Sequence, residues 1–171
     1  MSIHDNHFFV WGARCCLLAW AAAGFVRAAD NPSLIIQGNI PATVVLKAEE
    51  LAQMPRATVS VKEEGGGKAE YQGVPLAALL ERAGAPLGKQ LRGKALSTYV
   101  LATARDGYQV VFTLAEFDPQ FANETILVAD RRDGKPMAEP LGPLRIVCAN
   151  DQAQARDLRM LEKLEVVRLR K

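Results

Sequence analysis

Histidine and cysteine are scarce in this sequence, and their scarcity excludes several classes of chemistry. The only histidines are His4 and His7, and the three cysteines are Cys15, Cys16 and Cys148. If the N-terminal segment is removed on export, as its pattern below predicts, the remaining chain has no histidine and one cysteine. Ser-His-Asp and Cys-His nucleophilic machinery, imidazole-bound zinc and an internal disulfide are then excluded.

Aromatic residues and charged runs are also few. Aromatics make up 6% of the 171 residues, so leucine, valine, isoleucine and alanine must supply most of the core. The formal net charge is only +2, and no basic run alternates with aromatics, so nothing indicates a nucleic-acid partner. No CxxCH motif is present, which leaves no attachment site for a c-type haem.

The first 28 residues are typical of a secretory signal peptide and are not expected to contribute to the fold. Arg14 precedes an apolar run at 15–25, and Val26 and Ala28 supply small residues before a cleavage site that follows Ala28. The run is too short to span a bilayer as a helix. We therefore expect a periplasmic protein with one mature domain at 29–171 and no membrane span; retention of the segment as an N-terminal anchor is the alternative.

Hydrophobic patterning predicts an α+β domain with a mixed sheet or barrel, eight or nine short strands and two or three short helices. The clearest helix lies at 74–84, with Pro75 in its first turn and Gly84 as its C-terminal cap. Thr113 and Glu116 have capping-box spacing and predict another short helix. Strands are predicted at 33–38, 42–46, 57–61, 96–104, 108–112, 125–130, 144–149 and 161–169, and a further short helix at 48–54. The Asp106-Gly107 dipeptide predicts a hairpin turn between the strands 96–104 and 108–112.

Arg145 is the anomaly of the predicted strand 144–149, which is otherwise apolar. A guanidinium in such a strand needs a carboxylate, a cluster of carbonyls or a bound anion. Two interpretations follow: an ion pair with a residue such as Asp133 or Glu139, or an anion site. Cys148, in the same strand, is expected to be a small buried hydrophobic residue.

Four segments of the chain resemble the molybdopterin-binding domain of the sulfite oxidase family. The segment Tyr71–Gly84 is similar to the family's Y-x-G-V-P-L-x-x-L-L-x-x-A-G, and Ala104–Tyr108 is similar to A-x-D-G-Y. The segment 127–147 resembles the family's L-A-x-x-x-x-G-x-P-L followed by G-x-P-L-R-x-V, and 156–166 resembles its closing basic segment and I-E-V strand. The order and spacing of the four segments imply the fold of that family.

The resemblance implies that the domain binds molybdopterin, whose phosphate suits arginine side chains. Arg145, Arg156 and Arg159 are the candidate cofactor-binding residues, and the last two would share a face if their segment is helical. The alternative for that pair is a solvated basic face. The family's molybdenum-ligating cysteine has no counterpart at 59–65, where Ser60 would be a poor substitute.

Two functions therefore remain open at the level of sequence. One is a periplasmic molybdopterin-dependent oxidoreductase-like domain without a normal molybdenum site. The other is a non-catalytic sensor or accessory module of the same fold, which binds a small anionic ligand or a periplasmic protein partner. Neither requires haem or zinc.

Overall fold

A computed structural model describes residues 33–63, 65–122 and 124–169, which form two five-stranded sheets and three short α-helices. The strands are β1 (Ser33–Gly38), β2 (Val44–Lys47), β3 (Ala57–Lys62), β4 (Lys68–Pro75), β5 (Thr98–Ala104), β6 (Gln109–Thr113), β7 (Ile126–Arg132), β8 (Lys135–Pro136), β9 (Arg145–Cys148) and β10 (Leu161–Arg168). The helices are α1 (Ala48–Ala52), α2 (Leu76–Arg82) and α3 (Leu114–Phe117), and 3-10 turns cover Gly88–Gln90, Gly93–Ser97 and Gln154–Arg156. The predicted α+β class is confirmed. The predicted signal segment 1–28 lies outside the described residues.

The first sheet has the strand order β2-β1-β10-β5-β6 and is open over the described residues, so the barrel alternative is not formed there. Strand β1 pairs in parallel with β10, placing Ile36 opposite Leu164, and the other pairings are antiparallel. Side chains of β5 and β6 alternate between buried and more exposed positions, as expected of strands with one face on the core. The buried face packs against α2 and the second sheet in one large apolar cluster.

The second sheet has the order β3-β4-β7, and both β8 and β9 pair with β7. All four residues of β9 are buried. A Cβ atom on Gly73 of β4 would lie 2.1 Å from the Val128 carbonyl oxygen, so only glycine fits where β4 pairs with β7. This close approach gives the glycine of the Tyr71–Leu76 segment a physical reason.

Helix α2 begins two residues later than the start predicted at residue 74. Pro75 ends β4 with φ −55° and ψ 134°, an extended conformation, and α2 starts at Leu76. Pro75 therefore caps the helix and does not lie in its first turn. In the described ranges, no helix combines the length and apolar character that a membrane crossing requires.

Candidate functional site

A cavity of about 460 Å³ lies beside the hairpin between β5 and β6, next to the segment that leads into β10. Its volume is within the range of small-molecule sites. Both polar and apolar residues line it: Asp106, Tyr108, Pro140, Gln154, Ala155, Asp157, Arg159 and Met160. Two of the residues are acidic and one is basic, so the cavity combines charges of both signs.

The hairpin wall of the cavity is fixed by local hydrogen bonds. Tyr108 N–H donates to Asp106 Oδ1 at 3.0 Å, and Gly107 supplies the φ of +87° that the turn needs. The Tyr108 hydroxyl then donates to the Ala155 carbonyl at 2.8 Å, which joins the hairpin to the 3-10 turn on the opposite wall. The predicted turn at Asp106 and Gly107 is thus confirmed, and it shapes the cavity.

Arg145 is held in the protein interior by a carboxylate that the sequence does not single out. Its Nη2 atom lies 3.0 Å from Asp157 Oδ2, and its Nη1 donates to the Tyr71 hydroxyl at 3.1 Å. The other Asp157 oxygen accepts the Cys148 N–H at 2.8 Å. Burial is the largest influence on Asp157 and raises its pKa, against the opposing effects of the Cys148 N–H and Arg145.

The two carboxylates expected for Arg145 are engaged elsewhere. Glu139 pairs with Arg105 at 2.8 Å, and Asp133 Oδ1 accepts the Glu70 N–H at 3.0 Å. The prediction of a carboxylate partner is therefore confirmed in kind but wrong in its choice of residue. The signal available in the sequence was only that a buried guanidinium needs a buried countercharge, and Asp157 is 12 residues away along the chain.

Arg156 is enclosed by three carboxylates at the end of its 3-10 turn. Its guanidinium binds Asp151 through two hydrogen bonds, of 2.8 Å from Nε and 2.7 Å from Nη2. It also contacts Glu116 and lies 3.9 Å from Glu124, while its central carbon is 5.3 Å from the Phe112 ring centroid. The hydrogen bonds that Arg156 donates to Asp151 and Glu116 raise its pKa above the ordinary value, although burial opposes them.

Arg159 is in a different position from the other two candidate arginines. The 3-10 turn ends at Arg156, so the helical face that these two arginines would share is not formed. The Arg159 side chain is exposed and lines the cavity. It makes no ion pair or hydrogen bond with any residue in the part of the chain that the structure describes. Of the three candidates, it is the one whose guanidinium is available to a ligand.

Cys148 is buried as predicted, and its thiol is electrostatically unsuited to ionise. Burial, together with the nearby Asp151 and Asp157 carboxylates, raises the pKa of Cys148 to about 12. The thiol is therefore protonated at neutral pH. Ser60 is exposed on β3 and does not line the cavity. Within 33–63, 65–122 and 124–169, no three histidine, cysteine or acidic side chains are grouped so that they could hold a metal ion.

Comparison with known proteins agrees with the four sequence segments described above. The sulfane dehydrogenase SoxCD from Paracoccus pantotrophus has a similar structure, with a TM-score of 0.61 and 20% identity over 79% of this chain and 38% of that one. This chain thus spans well under half the length of that chain, and the likeness shows the fold. No curated protein matches. The family described as the oxidoreductase molybdopterin binding domain matches residues 23–171. Because that match covers most of the sequence, the chain belongs to the oxidoreductase molybdopterin-binding domain family.

Proposed function

We propose that this chain is a periplasmic member of the family that binds a small anionic ligand in the cavity and holds no thiolate-bound molybdenum. The observation that carries this proposal is the position of Arg159. Its exposed guanidinium lines the cavity and has no carboxylate partner among the described residues. A free guanidinium presents a planar fork of donors that suits a carboxylate or phosphate group.

The residues present do not fit a metal held by a thiolate. The family resemblance implies one cysteine as the protein ligand of molybdenum. Cys148 is the only cysteine outside residues 15–16, and its thiol is buried with a pKa of about 12. Deprotonating it would place a second negative charge next to Asp157, whose Oδ1 already accepts the N–H of Cys148. Since the thiolate is the form that binds metals, Cys148 is a poor ligand.

The charges around the cavity favour a singly charged anion over the doubly charged phosphate of a pterin cofactor. Arg145 is bound to Asp157, and Arg156 is enclosed by acidic residues. Arg159 is the one basic residue among those that line the cavity, and the acidic Asp106 and Asp157 line it too. One carboxylate of a ligand can pair with Arg159, whereas a phosphate dianion would also be repelled by the acidic side chains.

The N-terminal pattern supports the periplasmic part of the proposal. Residues 1–28 combine a basic residue, an apolar run and small residues before the expected cleavage site.

The experiment that tests the proposal is purification of the exported protein from its own periplasm. Molybdenum is measured by mass spectrometry, and pterin by fluorescence after oxidative release. We expect neither at stoichiometric levels. Near-stoichiometric metal and pterin would overturn the proposal, and pterin without metal would instead indicate a carrier or sensor of the cofactor.

A binding measurement tests the role of Arg159 directly. Thermal unfolding is followed with acetate, succinate and inorganic phosphate as probes, for the original chain and for Arg159→Gln. We expect a carboxylate to raise the unfolding temperature, and Arg159→Gln to weaken its binding about 10-fold through loss of a charge-assisted hydrogen bond. Arg92→Gln is the matched control, because Arg92 is also exposed but does not line the cavity. Equal binding by both variants would exclude Arg159 from the site.

A further inference from the structure

We infer that β6 pairs with the β6 strand of a second copy of this chain and joins two five-stranded sheets into one. The strand order ends at β6, so one side of this strand has no neighbouring strand among the described residues. Such an edge can add a strand from another chain through main-chain hydrogen bonds. This contact lies outside the cavity and does not depend on the ligand proposed for it.

The β6 edge lacks the features that block pairing at the other exposed edges. Strand β2 carries Lys47, β3 carries Lys62, and β8 consists of Lys135 followed by proline. Lysine and proline on an edge strand oppose the addition of another strand. Strand β6 has the sequence Gln-Val-Val-Phe-Thr, without charge and without proline. It is therefore the edge of this domain best suited to association.

The register of the β5–β6 hairpin determines which peptide groups face outward. The Ala104 N–H donates to the Tyr108 carbonyl at 2.9 Å, so the peptide groups of Tyr108 and every second residue after it point towards β5. The peptide groups of Gln109, Val111 and Thr113 consequently point away from the sheet. Of these three, only the peptide groups of Gln109 and Val111 are free within the described chain, because Thr113 is the N-cap of α3: its N–H donates to the Glu116 carboxylate at 2.9 Å, and its carbonyl accepts the first hydrogen bond of the helix.

The outward side of β6 is complementary to itself when two copies meet antiparallel with Val111 at the two-fold axis. The two Val111 residues then exchange two N–H to carbonyl hydrogen bonds across the axis. Val111, half exposed in the single chain at 50%, would face its own equivalent. The flanking pairs join glutamine to threonine, so the arrangement brings no like charges together. This self-complementarity favours a second copy over an unrelated segment.

The test is the association state of the exported chain, measured by analytical ultracentrifugation from low micromolar to high micromolar concentration. We expect a reversible dimer. Val111→Lys should weaken the dimer by about 100-fold or more, because it would bring two lysines face to face at the two-fold axis. Val45→Lys is the matched control: Val45 is on the opposite edge strand of the same sheet and has a similar exposure of 52%. This variant should dimerise normally.

Hydrogen exchange gives a second measurement that requires no substitution. Peptides covering β6 should become more protected as the concentration of the original chain rises, while peptides covering β2 should not change. This concentration-dependent increase in protection of β6 should be absent in Val111→Lys, and circular dichroism should show that this variant is folded. A chain that stays monomeric throughout the series would overturn the inference. A dimer that survives Val111→Lys and is lost in Val45→Lys would do the same.

Discussion

Arg145 and Asp157 form an ion pair whose side chains are almost entirely removed from water, at 7% and 2% exposure. Asp157 thereby occupies the position at Arg145 that an anionic ligand would need. The same aspartate accepts the N–H of Cys148 and lines the cavity. Within this family member, Asp157 therefore links the buried strand β9 to the cavity wall.

Asp157→Ala should destabilise the protein by about 3–5 kcal/mol, because it leaves the guanidinium of Arg145 buried without a countercharge. Chemical denaturation followed by circular dichroism measures the change in the free energy of unfolding. Glu139→Ala is the control, since the Arg105–Glu139 pair is exposed at 53% and 65% and should contribute less than about 1 kcal/mol. Equal decreases in the free energy of unfolding for Asp157→Ala and Glu139→Ala would contradict the buried position of the Arg145–Asp157 pair.

Glu116 should contribute to stability at neutral pH and lose that contribution in acid. Burial acts to raise its pKa, but hydrogen bonds from the Thr113 N–H and from Arg156 outweigh burial and lower the pKa. A lowered folded-state pKa stabilises the protein above the ordinary glutamate pKa, and this stabilisation disappears as pH falls through the lowered value. Glu116→Gln should therefore be less stable than the original chain at pH 7, by about 1 kcal/mol.

The difference in unfolding free energy between the original chain and Glu116→Gln should narrow as the pH is lowered below the ordinary glutamate range. Denaturation at a series of pH values measures it. Glu162→Gln is the control, because Glu162 is exposed on β10 and has no ion pair with a described residue. A difference for Glu116→Gln that widens towards low pH would have the wrong sign and would exclude this role for the Arg156 contact.

Cys148 should react very slowly with thiol reagents in the folded protein. Only the thiolate attacks such reagents, and a pKa of about 12 leaves roughly one thiolate in ten thousand at pH 8. Ser60→Cys provides an exposed thiol on β3 for comparison. We expect Cys148 to be labelled at least about 1000-fold more slowly than this engineered cysteine. Peptide-resolved mass spectrometry separates the sites, and comparable rates would show that Cys148 is accessible and ionised.

Local signals in the sequence were sufficient for much of the fold. The Asp106–Gly107 turn and the capping box of Thr113 and Glu116 are present as predicted, because each depends on residues only a few positions apart. The pairing of β1 with β10 could not be predicted in this way, since it joins the two ends of the described domain. Tertiary packing, and not local propensity, determines such contacts.

The same distinction applies to the candidate site. Sequence identified Arg145, Arg156 and Arg159 by residue type and by resemblance, but their availability depends on which carboxylates the fold brings near them. Asp157 neutralises Arg145, while Arg159 has an exposed guanidinium at the cavity. A pattern of residue types along the chain contains no information on these distances, so it could not separate the engaged arginines from the free one.

The glycine of the segment Tyr71–Leu76 should be among the least replaceable residues in the domain. A Cβ atom at Gly73 would meet the Val128 carbonyl oxygen at 2.1 Å and the Ala129 Cα at 2.5 Å, both of them backbone atoms of β7. Gly73→Ala would therefore push β4 and β7 apart. We expect a loss of about 3 kcal/mol or more in the free energy of unfolding, at the upper end of the usual cost of overpacking.

Gly67→Ala is the matched control for Gly73→Ala, because a Cβ atom there meets nothing within 4 Å and Gly67 needs no left-handed backbone conformation. Its stability should stay within about 0.5 kcal/mol of the original chain, as expected of a surface substitution. Guanidinium denaturation of both variants measures the difference. If Gly73→Ala were as stable as Gly67→Ala, β4 and β7 could not approach as closely as described, and the motif glycine would need another explanation. A large loss of stability in Gly73→Ala alone would instead show that this glycine of the Tyr71–Leu76 segment is needed for the close approach of β4 and β7.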